Sequence, residues 1–532
     1  MSTDAPTPQP PETNVIDTLQ SLIVAFVLAM TFRGFVTEGF VIPTGSMAPT
    51  LLGQHALIHS QMTGYSFAVG LDQQSTNRPV NANMIADPML GPNYPGSGVP
   101  KVKRPRGMGD RILVLKALYP FSEPNRFDVV VFKNPTDPVG EAANYIKRLI
   151  GLPNEQVWLA DGDVFARPLD GEQFKVQRKP EYVQRAVWQT VYNSDFAPMQ
   201  PHRLNRRYEG PPWVGDPVVW DTDERTYSSN RADATLLTWD NSRRAVNDWT
   251  PYNMLAGMPT LWPVSDIRVS AGVVAQQPGL KSTFEIQARS HLYQFIIDQS
   301  EPGGAKVILR MRPLIESTDS TMVEKTATVK LPSPGKVFNV EFWHADQCMQ
   351  MYIDGEPAVE PLAYDWTPMQ RLRYSTGELE SDDVDALVGR LPQPPQIRWR
   401  FEGAPVTLHR VRLDRDLHYR HETLTPGNQQ RNGPQIYGHA FGTHPTSPEN
   451  YPGILGPDQF MMCGDNSQMS LDSRLWGSPH PLVASQIDDH PFTVNRKLLL
   501  GKAWVVYFPA PYPLKEDGVA VIPDFGRLRF IR

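Results

Sequence analysis

An apolar segment of 22 residues, VIDTLQSLIVAFVLAMTFRGFV, runs from Val15 to Val36 and constrains the fold most. A helix of this length can cross the roughly 30 Å hydrocarbon core of a bilayer. The segment could instead be a buried core helix, because its uninterrupted apolar run covers only residues 22–30. It could also be a cleaved secretory signal, but a signal would need a basic region before the apolar run, and no Lys or Arg precedes Arg33. We expect a retained transmembrane helix over residues 15–36.

Proline and glycine are abundant, with 52 Pro and 38 Gly in 532 residues. Both residues favour turns and short strands over long helices. At about 150 residues per domain, the length predicts two or three domains. The sequence therefore predicts a mainly β protein with more than one domain, and its polar, Pro-rich residues 1–14 predict a disordered tail.

The charge and the cysteines exclude some classes of function. A formal net charge of −6 provides no basic field that would attract nucleic acid, so we expect no nucleic-acid partner. The two cysteines, Cys348 and Cys463, are too few for a disulfide framework or a Cys-rich zinc site. Their redox state stays open.

Eight strand-like runs separated by turns lie between about residues 235 and 420. The pair Asp354 and Gly355 is a hairpin signal between two of these runs. Strands at this spacing predict a β-sandwich of the jelly-roll type. The stretch VEFWHADQCMQMYIDGEPA resembles the strand pair of concanavalin-like and laminin G-like lectin domains. We expect an accessory β-sandwich, with a glycan or a protein as its possible ligand, and we expect its deletion to spare basal activity.

The turn VIPTGSMAPTLL, residues 41–52, places Ser46 directly after the apolar segment. Most serines in such turns are only turn formers, because a serine is a weak nucleophile without a neighbouring base. Three further stretches change this interpretation. They are GDRILVLK at residues 109–116, YIKRLIGLPNEQV at 145–157 and GDNSQMSLDSRLWG at 464–477.

In their order and chemistry, these four stretches resemble the type I signal peptidases, the membrane-bound Ser/Lys proteases that cut leader sequences from exported proteins. The resemblance covers about residues 15–60, 105–165 and 456–510. It implies a β catalytic domain in two parts, residues 37–168 and 456–532. Residues 169–455 then form a large insertion that contains the predicted sandwich.

The resemblance also implies the roles of several residues. Ser46 is the nucleophile and Lys147 the general base that takes its proton. The Ser46 backbone N–H and the hydroxyl of Thr44 hold the oxyanion, and the hydroxyl of Ser470 orients the lysine amine. Asp472 and Arg474 form an ion pair that orders the loop.

Six further positions match the family. Asp465 supports the same loop. Five residues match the shallow pockets that select A-x-A-like cleavage sites: Ile42, Pro43, Met47, Tyr145 and Ile146.

A lysine can act as a base at neutral pH only if burial lowers its pKa from about 10.4. Lys147 lies between apolar residues, which favours such burial. The alternative is an exposed lysine on an alternating strand, with Arg148 on the other face. Lys116 and Lys133 are rival bases, but neither lies in the matching motif.

The twelve histidines show no H-E-x-x-H spacing and no nucleotide-binding glycine motif is present, so we expect no metal and no cofactor. The expected partners are signal-bearing preproteins and the lipid bilayer. The resemblance implies a single-pass protein of the bacterial inner membrane with its catalytic part outside the cytoplasm, since the loop charges give no orientation.

Two other functions stay open. The chain could be a membrane-anchored β-sandwich that binds glycan or protein on an inactive peptidase frame. It could also be a Ser/Lys protease of the self-cleaving repressor type, although its apolar segment weighs against a soluble substrate. The intact set of Ser46, Lys147 and Ser470 favours the signal peptidase.

Overall fold

A computed structural model describes residues 15–71, 81–99, 109–139, 143–204, 208–222, 225–255, 260–300, 303–315, 321–425, 429, 435–513 and 520–532. The predicted tail at residues 1–14 lies outside these ranges. The first described element is the α-helix Val15–Thr31, which continues as the π-helical turn Phe32–Val36. None of the helix is buried against the rest of the chain. The segment Val15–Val36 is long and apolar enough to cross a membrane.

An antiparallel sheet of eight strands follows directly, and it combines strands from the two ends of the chain. Its interior strand Asn144–Gly151 pairs with Val129–Lys133 on one side and with Gln459–Cys463 on the other. The remaining strands are Thr37–Val41, Arg111–Leu115, Leu499–Phe508, Val494–Asn495 and Arg529–Phe530.

Smaller sheets surround this frame. A four-stranded sheet contains Ile454–Leu455, Glu155–Ala160, Asp163–Pro168 and Lys175–Val176. Three two-stranded sheets pair His55–His59 with Ser66–Gly70, Thr423–Leu424 with Gly438–His439, and Pro511–Pro513 with Ala520–Pro523.

Two larger sheets form a β-sandwich, as the strand-like runs predict. Phe284 of one sheet stacks on Phe342 of the other at 5.1 Å between ring centroids, inside a continuous apolar core. The nine-stranded sheet contains Gln189–Asn193, Trp220–Asp221, Tyr227–Ser229, Ile267–Ala275, Val337–Ala345, Cys348–Ile353, Glu356–Pro357, Leu362–Ala363 and Val406–Arg415. The seven-stranded sheet contains Trp213–Gly215, Thr235–Trp239, Lys281–Ala288, His291–Asp298, Ala305–Pro313, Val323–Val329 and Gln396–Glu402.

The helices beyond the N-terminal one are short. Thr367 begins one of them with a capping box, in which its hydroxyl accepts from the Gln370 N–H and the Gln370 side chain accepts from the Thr367 N–H. The α-helices are Glu181–Val187, Pro368–Thr376, Val384–Val388 and Pro481–Gln486. The 3₁₀ turns are Ala82–Met84, Ser194–Phe196, Pro201–Arg203, Arg496–Leu498 and Phe525–Arg527. The mainly β fold class, with an apolar N-terminal helix and sandwich sheets, is confirmed.

The structure also changes the expected outline of the sandwich. Strands Gln189–Asn193 and Trp213–Gly215 belong to its sheets, so it begins well before residue 235. Asp161, in the turn between strands Glu155–Ala160 and Asp163–Pro168, accepts from Arg289 at 2.7 Å and from Arg371 at 2.8 Å, and all three side chains are buried. Buried ion pairs therefore join the two parts, which an independent accessory module would not need.

Candidate active site

The turn that carries Ser46 comes directly after the strand Thr37–Val41. Its backbone closes through a bond from the Ala48 N–H to the Gly45 carbonyl at 3.0 Å. Gly45 is required here, because a Cβ at that position would lie 2.0 Å from Cε1 of the Tyr252 ring. The turn is therefore packed, and Ser46 itself is 9% exposed.

Lys147 lies at the centre of the strand Asn144–Gly151, opposite Val130. The strand is buried from Ile146 onwards, because it has a neighbouring strand on both sides. Lys147 Nζ donates to Ser46 Oγ at 2.7 Å. The two side chains that the sequence pairs across 101 residues are thus in hydrogen-bond contact.

Burial lowers the pKa of Lys147 from its usual value of 10.5 to about 8. The negative charge of Asp472 is the largest opposing influence, and Asp465 opposes the shift more weakly. Arg474 lowers the pKa further. A substantial fraction of Lys147 is therefore neutral near pH 8 and able to accept a proton.

Arg148, the residue after Lys147, is fully buried, as Lys147 is, so side chains on both faces of this strand are packed. It forms a two-pronged pair with Asp465, from Nε to Oδ1 at 2.8 Å and from Nη2 to Oδ2 at 2.6 Å. The hydroxyl of Thr50 also donates to Asp465 Oδ2, at 2.5 Å. Asp465 thus connects the turn that carries Ser46 to the strand that carries Lys147. The sequence did contain a signal for this buried pair, because Arg148 is a second cationic residue inside an apolar strand.

Asp472 and Arg474 lie near Lys147 as a second buried pair. Arg474 donates from both Nε and Nη2 to the Asp472 carboxylate at 2.9 Å. Asp472 Oδ2 also accepts from the Gly464 N–H at 2.9 Å, and Arg474 donates to the Ser467 carbonyl at 3.1 Å. Through these bonds the pair fixes both ends of the loop, and Arg474 holds the pKa of Asp472 below its usual value despite burial.

Ser470 and Thr44 lie near the dyad in different environments. Ser470 is buried, and within the described part of the chain its Oγ has no hydrogen-bond partner, so the expected bond to Lys147 is not formed. The Ser470 hydroxyl lies close enough to the Asp472 carboxylate to help lower the pKa of Asp472, but the two groups do not meet hydrogen-bond geometry. A Cβ at Gly464 would lie 2.2 Å from Ser470 Oγ and 2.4 Å from the Ser46 carbonyl oxygen, which places Ser470 beside Ser46. Thr44 is exposed, two residues before Ser46.

Three of the five expected pocket residues pack in one apolar cluster. Ile42, Met47 and Ile146 are buried there. Tyr145 is half-buried, with its ring 6.0 Å from that of Trp476, while Pro43 is exposed. The structure thus brings three of these residues together as core and leaves two closer to the surface.

The insertion also reaches the turn that carries Ser46, which sequence reasoning missed. Asn466 donates from its backbone N–H to the Ser46 carbonyl and from its side chain to the Gly45 carbonyl, both at 3.0 Å. Its side chain is held in turn by Asn253, a residue of the insertion. No local sequence pattern connects Asn253 to position 46, so nothing in the sequence could have revealed the contact.

The sheet and its buried serine and lysine thus form a peptidase-like frame, and comparisons with known proteins agree with this class. Residues 101–219 match the family model described as signal peptidase, peptidase S26. Ser46 and the block at residues 464–477 lie outside that match. The resemblance to type I signal peptidases is confirmed, and the family match lies within residues 101–219.

Curated relatives point the same way. Signal peptidase I of Buchnera aphidicola subsp. Acyrthosiphon pisum is 29% identical over 27% of this chain and 32% of its own length. A probable signal peptidase I-2 of Synechocystis sp. is 26% identical over 29% of this chain and 47% of its own length. Signal peptidase I of Leptolyngbya laminosa is 25% identical over 34% of this chain and 68% of its own length. The chain therefore spans less than half the length of the first two relatives.

Among solved structures, the endo-β-1,3(4)-glucanase SCLam aligns with 49% of this chain and 97% of its own at 9% identity. Its TM-score of 0.25 is too low to carry a conclusion about the sandwich.

Proposed function

We propose that this chain is a membrane-anchored serine endopeptidase that removes N-terminal signal peptides from exported preproteins with a Ser46/Lys147 dyad. The observation that supports it best is the 2.7 Å contact between Lys147 Nζ and Ser46 Oγ in a buried setting. The low pKa of the amine and the signal peptidase relatives add to it.

In the proposed reaction, Ser46 Oγ attacks the scissile carbonyl carbon while its proton passes to the neutral Lys147 amine. The Ser46 N–H and the Thr44 hydroxyl stabilise the oxyanion; losing one such donor typically costs about 2.7–4 kcal/mol of barrier. The C–N bond then breaks, and the protonated lysine gives its proton to the leaving amine. Lys147 next takes a proton from water, which attacks the acyl-enzyme. The same proton returns to Ser46 Oγ as the C–O bond breaks.

In this proposal, the residues around Ser46 and Lys147 hold the two side chains in position. The pair of Arg148 and Asp465 keeps the lysine strand and the serine turn together. The pair of Asp472 and Arg474 keeps the adjoining loop closed, and Ser470 orients the amine when substrate is bound. Asn253 is a positioning residue, because it acts on the turn only through Asn466.

The proposal also gives the anchor a role. The segment Val15–Val36 ends one residue before the strand Thr37–Val41, and Ser46 follows that strand by five residues. A strand of this length spans about 17 Å. The nucleophile would therefore lie near the membrane surface, where the end of a signal peptide helix leaves the bilayer. The side of the membrane is taken from the family resemblance, as the extracytoplasmic face of a bacterial inner membrane.

The decisive experiment incubates the detergent-extracted full chain with a signal-bearing precursor and reads the cut site by mass spectrometry. We expect cleavage after an A-x-A-like sequence, and no product from Ser46→Ala or Lys147→Ala. Lys133→Ala, which removes a lysine of the neighbouring strand, is the matched control and should cleave normally. Unchanged cleavage by either dyad variant would overturn the assignment. The ligand expected for the sandwich stays a prediction.

A further inference from the structure

Asp385, His439 and His444 lie together at a junction far from the dyad in sequence. Asp385 belongs to the short helix Val384–Val388 of the insertion, and His439 ends the strand Gly438–His439. Asp385 Oδ1 lies 2.7 Å from His439 Nε2 and 3.5 Å from His444 Nε2. One donor atom from each of the three residues lies within 4.8 Å of the others.

The two imidazoles are arranged to share a single site. Their rings stack nearly parallel, 4.6 Å apart at an angle of 12°, so that both Nε2 atoms face Asp385. His444 is 6% exposed, yet its Nε2 has no hydrogen-bond partner in the described residues. A buried polar atom without a partner is costly, and an ion would satisfy it.

The spacing suits a tetrahedral ion. Zinc lies about 2.0–2.1 Å from nitrogen and oxygen ligands, so two ligand atoms at the tetrahedral angle are about 3.3 Å apart. The distance from Asp385 to His444 already matches this value, and the exposed Asp385 side chain can rotate to widen its distance from His439. Solvent reaches the cluster on the Asp385 side, which leaves room for a water as the fourth ligand.

Neighbouring groups can orient both rings. His421 Nε2 lies 2.6 Å from His439 Nδ1 and fixes that ring from behind. Thr446 Oγ1 lies 3.2 Å from His444 Nδ1 and can accept a hydrogen bond from the Nδ1–H when Nε2 binds an ion. The Thr446 N–H points to the same Nδ1 at 3.2 Å and favours the other tautomer without an ion, so binding would move one proton on His444.

We propose that Asp385, His439 and His444 bind one divalent transition metal ion of the zinc class. Two imidazoles and one carboxylate are a ligand set that zinc uses, and they exclude Ca²⁺ and Mg²⁺ as preferred occupants because those ions favour all-oxygen sites. The ion would fasten the helix Val384–Val388 to the strand Gly438–His439. No metal was expected from the sequence because the carboxylate ligand lies 54 residues before His439, and the spacing of four residues between His439 and His444 was the one local signal.

The test uses the full chain in detergent, without a polyhistidine tag, after removal of metal with a chelator. Zn²⁺ is measured by mass spectrometry of the native protein, and Co²⁺ by its visible absorption, which reports tetrahedral coordination. We expect one ion per chain, with binding at least about 100-fold weaker in His439→Ala and His444→Ala. His421→Ala should weaken binding by about 10- to 100-fold, because it orients a ligand without touching the ion. His59→Ala removes an exposed histidine elsewhere and is the matched control.

Either of two results would overturn the proposal: no uptake of Zn²⁺, or equal binding by His444→Ala and His59→Ala. If His444→Ala does not fold by circular dichroism, Asp385→Asn decides, because that side chain is exposed and supports no core. Zn²⁺ should raise the melting temperature of the wild-type chain and leave that of Asp385→Asn unchanged. A rise of the same size in both proteins would count against the site. None of these measurements depends on peptidase activity.

Discussion

Asn253 and Asn466 form a reciprocal amide pair in which each side chain donates to the other, at 2.9 and 2.8 Å. Asn466 uses its remaining donors on the carbonyls of Gly45 and Ser46. One residue of the insertion therefore helps to set the backbone of the nucleophile turn. Both amides are buried, so losing either one leaves the other with an unsatisfied polar group.

Asn253→Ala should lower kcat by about 10- to 100-fold and change KM little, because a small displacement of the nucleophile affects the chemical step. Cleavage of a signal-bearing precursor measures both constants. Asn339→Ala, at an exposed asparagine of the sandwich, is the control and should behave as wild type. A proportional loss of activity and of folded protein in Asn253→Ala would instead indicate a purely structural role.

The pH dependence of cleavage should follow the protonation of Lys147. Its pKa of about 8 means that the amine is charged below that pH and unable to accept the serine proton. We expect kcat/KM to fall about tenfold for each pH unit below 8 and to level off above it. A profile that is flat between pH 6 and 9 would contradict a lysine base with this pKa.

Burial of Lys147 should also cost stability at neutral pH. The unfolded chain binds the proton up to pH 10.5 and the folded chain only up to about 8, so the penalty is complete below 8 and disappears as the pH rises towards 10.5. Lys147→Met should therefore raise the free energy of unfolding at pH 7 by up to about 3 kcal/mol. Urea unfolding at pH 7 and at pH 9.5 would show a gain that shrinks with pH. An equal gain in the free energy of unfolding at both pH values would indicate that the gain comes from better packing and not from removal of the charge.

Removing only one partner of the buried pair of Arg148 and Asp465 should lower the stability of the fold strongly. Arg148→Met leaves a carboxylate buried without its partner, and we expect a loss of about 3–5 kcal/mol in the free energy of unfolding. The double variant Arg148→Met with Asp465→Leu should recover most of this loss. Arg310→Met, which breaks the more exposed pair with Glu324, is the control and should cost less than about 1 kcal/mol. Additive losses in the double variant would argue against direct coupling of Arg148 and Asp465.

Deleting residues 235–420 should prevent correct folding, in contrast to the expectation from the sequence. The deletion removes Arg289 and Arg371, the buried partners of Asp161, together with Asn253. We expect aggregated or protease-sensitive product in a limited proteolysis assay. A soluble, active deletion product would show that the insertion is an accessory module after all.

Local pattern predicted the parts of this molecule in which neighbouring residues decide the structure. The apolar run predicted the helix at Val15–Thr31, and the alternating runs bounded by turns predicted the sandwich strands. Motif order suggested Ser46 and Lys147 as a pair, which the structure places in contact. For the helix and the strands the evidence lay within the segment itself, whereas the dyad came from the family resemblance of four separated stretches.

Contacts between distant segments were not predictable in this way. The alternative of an alternating strand, with Lys147 exposed and Arg148 on the other face, assumed one solvated side, whereas the structure buries both side chains. Asn253 and Asp385 gain their roles only from segments more than 50 residues away. A single sequence carries no signal for such pairings.

The strand Asn144–Gly151 has its second neighbour in Gln459–Cys463, and Arg148 lies 317 residues before Asp465. A ribosome that adds about 5–20 residues per second needs roughly 15–60 s to cover that distance. Until then Lys147 lacks the neighbouring strand Gln459–Cys463, which helps to bury its amine and so to lower its pKa. On the proposed function, the order of synthesis withholds the neutral amine until Gln459–Cys463 and Asp465 have been added, which would keep the nascent chain from cutting before its site is assembled.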